Sequence, residues 1–313
     1  MNKRDALLSL LDDSQQPSYI PAAFFLHFPP AFHAGQAAVE KHIEFFRHTG
    51  MDVVKIQYER TFPKVDAIQK PEDWVHMPRY GVDFFEGQLK AVEGLVQALK
   101  SEAVVIVTLY SPFMCAGHAT GSDLLVQHLQ QDPEAVNKGM EVVTDSLLTF
   151  VRECVKLGVD GFYTSTQGGE ADRFEDPGIF DIAIRPYDLA MMNEINETCQ
   201  FNILHVCDYA LGYDDFSRFR DYPGDVVNCP LHLGDGEITM KAAADLFKRP
   251  YMGGLERLGI LANGTAQQVR QATEAVLRAA PERFILGADC TVPSETPWDN
   301  LKEAIDTAHG WER

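Results

Sequence analysis

The chain has no run of about 18 apolar residues, so the signature of a membrane-spanning helix is missing. Positive charge is scarce: 27 lysines and arginines face 46 aspartates and glutamates, a net charge of −19 spread along the chain. Such a surface repels nucleic acid and anionic lipid, and no Lys/Arg cluster offsets it, so neither is expected as a partner. Six cysteines in 313 residues are too few for a disulfide scaffold. Free thiols in a reducing, cytoplasmic setting are expected instead, open to burial, catalysis or metal binding. No Gly-rich phosphate fingerprint follows the first strand-like run, which disfavours a dinucleotide-binding open sheet. The opening MNKRDALLSLLDD has no long apolar core or small-residue cleavage site, and reads as a short amphipathic helix over 1–13. No Pro, Gly or Ser-rich linker divides the chain, so one domain over 1–313 is expected.

What the sequence does contain is an alternation of β-rich runs and helical patterns. Strands are expected at 20–26, 52–57, 103–109, 159–164, 201–207, 225–229, 250–255 and 283–288. These runs are apolar on both faces, as parallel strands under helices must be. Helices are expected at 36–49, 84–99, 133–157, 187–199, 238–247, 266–279 and 298–308, with a weaker one near 213–220. The clearest opens with Asp132 as N-cap and Pro133 at the first turn. Its apolar stripe runs Val136, Met140, Val143, Leu147, Val151, Cys154, and Gly158 ends it. Strand then helix, eight times over, is the pattern of a (β/α)8 TIM barrel. The irregular segment 58–83 follows the second strand and is expected over the barrel mouth as a lid or binding loop.

In a barrel the C-terminal strand ends converge on the functional face. ILHVCD (203–208) puts His205 and Cys207 at one such end, and ILGADC (285–290) puts Cys290 just after another. Side chains two apart on a strand point the same way, with Cα atoms roughly 6.5–7 Å apart. Both can then reach one ion at about 2.0–2.3 Å, with Cys290 placed to join them. A lone strand-end cysteine is ordinarily a small buried hydrophobe, and a lone histidine a hydrogen-bonded core residue. Rival donors share the same face: Cys115 and His118 after the third strand, Cys229 and His232 after the sixth. Cys154 and Cys199 lie on helices and read as core.

ILHVCD and RFILGADCTVPSETPWDNLKEAIDTA (283–308) resemble the uroporphyrinogen decarboxylase superfamily. More narrowly, they are similar to its zinc-dependent branch, the methylcobalamin:coenzyme M methyltransferases. YSPFM (110–114) and GGLERLGILANGTAQQV (253–269) add further matches. The resemblance implies a (β/α)8 barrel and a zinc ion on His205, Cys207 and Cys290. It implies methyl transfer between a corrinoid and a thiol, whose sulfur takes the open metal position as a thiolate. Glu170 is the candidate for a further ligand or catalytic carboxylate, and Asp208 and Asp289 for supporting roles beside the metal. No Asp-x-His-x-x-Gly stretch occurs, so the corrinoid is expected on a separate protein. A homodimer would be in keeping with the superfamily.

The sequence departs from the decarboxylases themselves. Their first strand carries arginines that clamp a substrate with many carboxylates, whereas AAFFLHFPPAFH (22–33) has no arginine or lysine. Decarboxylation of a carboxylated tetrapyrrole is therefore the second expectation, and non-catalytic corrinoid or zinc binding the third.

Overall fold

The strands form a curled parallel sheet, and the amphipathic helices cover its outside. The computed structural model describes residues 2–12, 14 and 19–312. Seven parallel strands follow one another round the sheet: β1 (Val53–Ile56), β2 (Val104–Tyr110), β3 (Gly161–Thr166), β4 (Ile203–Val206), β5 (Val226–Asn228), β8 (Tyr251–Leu255) and β9 (Phe284–Ala288). Between β5 and β8 a small antiparallel hairpin, β6 (His232–Leu233) and β7 (Gly236–Glu237), stands apart from the sheet.

The first expected strand, 20–26, is not a regular strand and makes a single bridge, Ala22 with Leu286. It still closes the ring. Ala23 N–H donates to Leu286 O at 2.9 Å on one side, and Asp52 N–H donates to Ala22 O at 2.9 Å on the other. Pro21 has no N–H to extend the ladder, so the segment serves as an eighth stave held at two points. The result is a TIM barrel.

The helices include α1 (Lys3–Leu8), α2 (Gly35–Thr49), α3 (Val82–Leu99), α4 (Pro112–Thr120), α5 (Ser122–Gln131) and α6 (Pro133–Leu157). The order continues with α7 (Ile179–Ala183), α8 (Arg185–Thr198), α9 (Met240–Phe247), α10 (Ile260–Asn263), α11 (Ala266–Ala279) and α12 (Trp298–His309). In α6 the whole expected stripe is buried, the Asp132 carboxylate accepts from Ala135 N–H at 3.0 Å, and Gly158 takes the left-handed cap. The weak helix near 213–220 is only a 3-10 turn, Ser217–Phe219. Tyr213, Phe216, Phe219 and Tyr222 there pack as one aromatic cluster rather than a helical stripe. None of the described helices is long and apolar enough to cross a membrane.

Segment 58–83 is pinned to the outer helices by Trp74, which is fully buried and donates to His128 Nδ1 at 3.0 Å. Gly139 of α6 makes room for it, since a Cβ there would stand 2.4 Å from the indole.

Two buried aspartates tie the lower end of the barrel. Asp52, just before β1, accepts from Tyr19 Oη at 2.7 Å, Ala22 N–H at 2.8 Å and His309 Nε2 at 2.7 Å. Asp160, just before β3, is gripped by Arg4 and accepts from Val105 N–H at 2.9 Å and Gln200 Nε2 at 2.8 Å.

Candidate metal centre

Strand pairing places the polar side chains of the barrel interior. The register aligns Tyr163 with Thr108 and Ile203, and His205 with Ser165 and Asn228. Tyr163 stacks on the His205 ring, centroids 4.9 Å apart, and its hydroxyl donates to Asn228 Oδ1 at 2.6 Å. The imidazole is thereby held in the barrel lumen.

Cys207 stays in register beyond β4, its N–H donating to Thr166 O at 3.0 Å, so it points the same way as His205. Cys290 follows β9 after Asp289, whose N–H donates to Leu255 O at 2.9 Å. The structure brings all three together: donor atoms of His205, Cys207 and Cys290 lie within 4.8 Å of one another. Cys290 Sγ is 3.3 Å from His205 Nε2, and Gln167 Nε2 donates to Cys207 Sγ at 3.5 Å. The hydrogen bond between the two sulfurs holds the Cys207 thiol below its ordinary range and pushes Cys290 up. His205 Nδ1 is buried without a hydrogen-bond partner. Two soft sulfurs and the imidazole Nε2 that faces Cys290 Sγ are a donor set that fits a zinc ion better than magnesium or manganese.

The flanking carboxylates have different tasks. Arg257 Nη1 donates to Asp208 at 2.9 Å and to Asp289 at 2.8 Å, and its backbone N–H reaches Asp289 at 2.6 Å. One guanidinium thus ties the segment carrying Cys207 to the segment carrying Cys290. Glu170 is not brought into the ligand group. Its carboxylate is taken by Arg173, at 2.7 and 2.9 Å, and by Gly168 N–H at 2.7 Å. Of the rival donors, Cys115 and Cys229 are fully buried, and burial pushes both thiols up. His232 stands exposed on the β6–β7 hairpin beside Glu237 and Glu256. His118 packs edge-on to Tyr110. Cys154 is buried on α6, as expected.

Sequence reasoning passed over Gln167, Arg257, Lys55 and Gln57. Lys55 had a signal, because a lysine in the otherwise apolar VVKI is out of place on a buried strand. Its ammonium lies 4.3 Å from the Tyr163 ring centre and 4.5 Å from that of Phe25. Burial pushes it down to about 7.

A (β/α)8 barrel with a His-Cys-Cys group, two of its members buried and Cys290 half-buried, at the C-terminal strand ends defines the class: a barrel protein with a candidate soft-metal centre at its functional face. The chain belongs to the Uroporphyrinogen decarboxylase (URO-D) family, whose profile matches residues 29–311. It is similar to the methylcobamide:CoM methyltransferase MtbA of Methanosarcina acetivorans, 23% identical over 252 residues, covering 78% of this chain and 70% of that protein. It is also similar to a methylated-thiol–coenzyme M methyltransferase of Methanosarcina mazei, 23% identical over 233 residues, covering 70% of this chain but 58% of that protein. Among solved structures, a methyltransferase from Methanosarcina mazei superposes with a TM-score of 0.78 at 12% identity, covering 98% of each chain. A B12-independent methionine synthase from Shewanella sp. superposes with a TM-score of 0.56 at 11% identity, covering 93% of this chain and 97% of its own. At these identities the superpositions speak for the fold.

Proposed function

We propose that this protein transfers a methyl group between a corrinoid and a thiol, at a zinc ion held by His205, Cys207 and Cys290. The observation that carries the reading is the convergence of those three donors within 4.8 Å at two strand ends. Its support from outside the site is the likeness to methylcobamide:CoM and methylated-thiol methyltransferases. Bound there, zinc would supply Lewis acidity that lowers the pKa of a substrate thiol to near neutrality.

The remaining work falls to the protein. Tyr163 and Asn228 fix the imidazole plane, and Gln167 orients Cys207. Arg257, balanced by Asp208 and Asp289, keeps the two cysteine segments at a fixed separation. Glu170 we assign to holding the 167–173 turn through Arg173 rather than to the ion. In the transfer, the thiol sulfur bonds to the methyl carbon as the methyl–cobalt bond breaks with its electron pair left on cobalt. The thiol proton passes to solvent. The corrinoid arrives on a separate protein.

Decarboxylation of a porphyrinogen fits less well. The mouth segment 22–33 offers His27 and His33, facing Glu59, where that substrate would need guanidinium groups. The test is the absorbance of free methylcobalamin mixed with the protein and a small thiol. Thiol-dependent demethylation that Cys207→Ala reduces to background supports the reading. Demethylation equal in wild type and variant contradicts it.

A further inference from the structure

Two buried hydrogen-bond donors in the barrel interior have no acceptor: Lys55 Nζ and Gln57 Nε2. They lie two residues apart at the end of β1, so their side chains share a face. That face is inward. Lys55 lies over the ring of Tyr163, which itself stacks on His205, and Gln57 Oε1 accepts from Thr108 Oγ1 at 2.8 Å. No carboxylate forms an ion pair with Lys55 among the described residues. The other basic side chains near the site are committed, Arg257 to Asp208 and Asp289, Arg173 to Glu170. An ammonium and an amide N–H left without acceptors inside a protein cost several kcal/mol in all. A barrel that retains both is built to receive an acceptor-only group.

We propose that Lys55 and Gln57 form an anion subsite beside the metal centre, taking the carboxylate or sulfonate of a small ligand. Phe25 and Tyr163 shield the ammonium from water, which strengthens its pull on a bound anion. Where the ligand is the thiol of the proposed transfer, on which this half rests, one side chain pair reads its charge and the other site binds its sulfur. Specificity for charged over neutral thiols would then reside in β1.

The test uses the full chain and NMR line broadening of small molecules. 3-Mercaptopropionate is compared with its neutral shape match 3-methyl-1-butanethiol, and propionate and ethanesulfonate are run as anions without a thiol. Wild type is expected to bind the charged thiol about ten-fold or more tightly than the neutral one, as one charge-assisted hydrogen bond gives. Lys55→Met should abolish the preference while zinc per chain is unchanged, and Gln57→Leu should weaken it. Removing a buried unpaired ammonium should leave the Lys55→Met melting temperature at or above wild type, so loss of binding would not reflect unfolding. Should no thiol bind, Lys55-dependent binding of propionate or ethanesulfonate still supports the subsite while the methyl-transfer reading fails. Equal affinity for charged and neutral thiols, or a preference untouched by Lys55→Met and Gln57→Leu, overturns it.

Discussion

Asp188 shows how one buried residue can make stability depend on pH. Burial lifts its pKa from 3.8 to about 7, against hydrogen bonds from Thr166 Oγ1 at 2.6 Å and Tyr222 Oη at 3.2 Å. The native state therefore keeps a proton that the unfolded chain gives up. Stability present below the unfolded value is lost as pH rises through the folded one. Asp188→Asn keeps the shape and accepts the same two hydroxyls without charging. Its stability gain over wild type should widen by about 2–3 kcal/mol between about pH 5 and about pH 8. Urea unfolding at the two pH values measures this. A gap independent of pH would show that Asp188 is ionised in the native state.

Between elements, Arg257 is the tie that matters for the centre. Arg257→Met should lower zinc affinity about 10–100-fold with the fold intact, as loss of a group that orients ligands does. Competition with a chromophoric chelator reads it, and unchanged affinity would leave the two cysteine segments independent of the guanidinium. At the opposite end, Asp52→Ala strips acceptors from Tyr19, Ala22 and His309 at the barrel closure. It should cost about 3 kcal/mol in chemical denaturation, without loss of metal. The sequence made seven of the covering helices and seven strands legible, because buried strands and amphipathic stripes are periodic, whereas the shorter α4, α5, α7 and α10 went unread. Segment 20–26 is just as apolar, but ladder formation depends on its neighbours and on Pro21, which composition does not reveal. His205, Cys207 and Cys290 were readable because strand alternation and strand ends fix their direction. Glu170 lies outside the ligand group, because Arg173, three residues on, holds its carboxylate within an irregular turn that spacing alone does not reveal. Arg257 was invisible, since its partners lie 49 and 32 residues away.

Across the whole molecule the barrel separates its tasks. Asp52 and Asp160 secure the N-terminal strand ends, while the polar lumen from Lys55 to His205 opens toward the C-terminal ends, where barrels of this kind place their chemistry. The surplus of acidic groups on the outside leaves the interior cation Lys55 and the sulfur pair as the distinctive chemistry of the chain. The central claim is that two distant stretches of sequence are joined through one ion. Metal analysis of protein purified without chelators, wild type beside Cys290→Ala, tests it most directly. One zinc per wild-type chain, absent from a folded Cys290→Ala variant, is the expected result. Folded, reduced wild-type protein that holds no zinc, or a variant that retains it in full, would contradict the account.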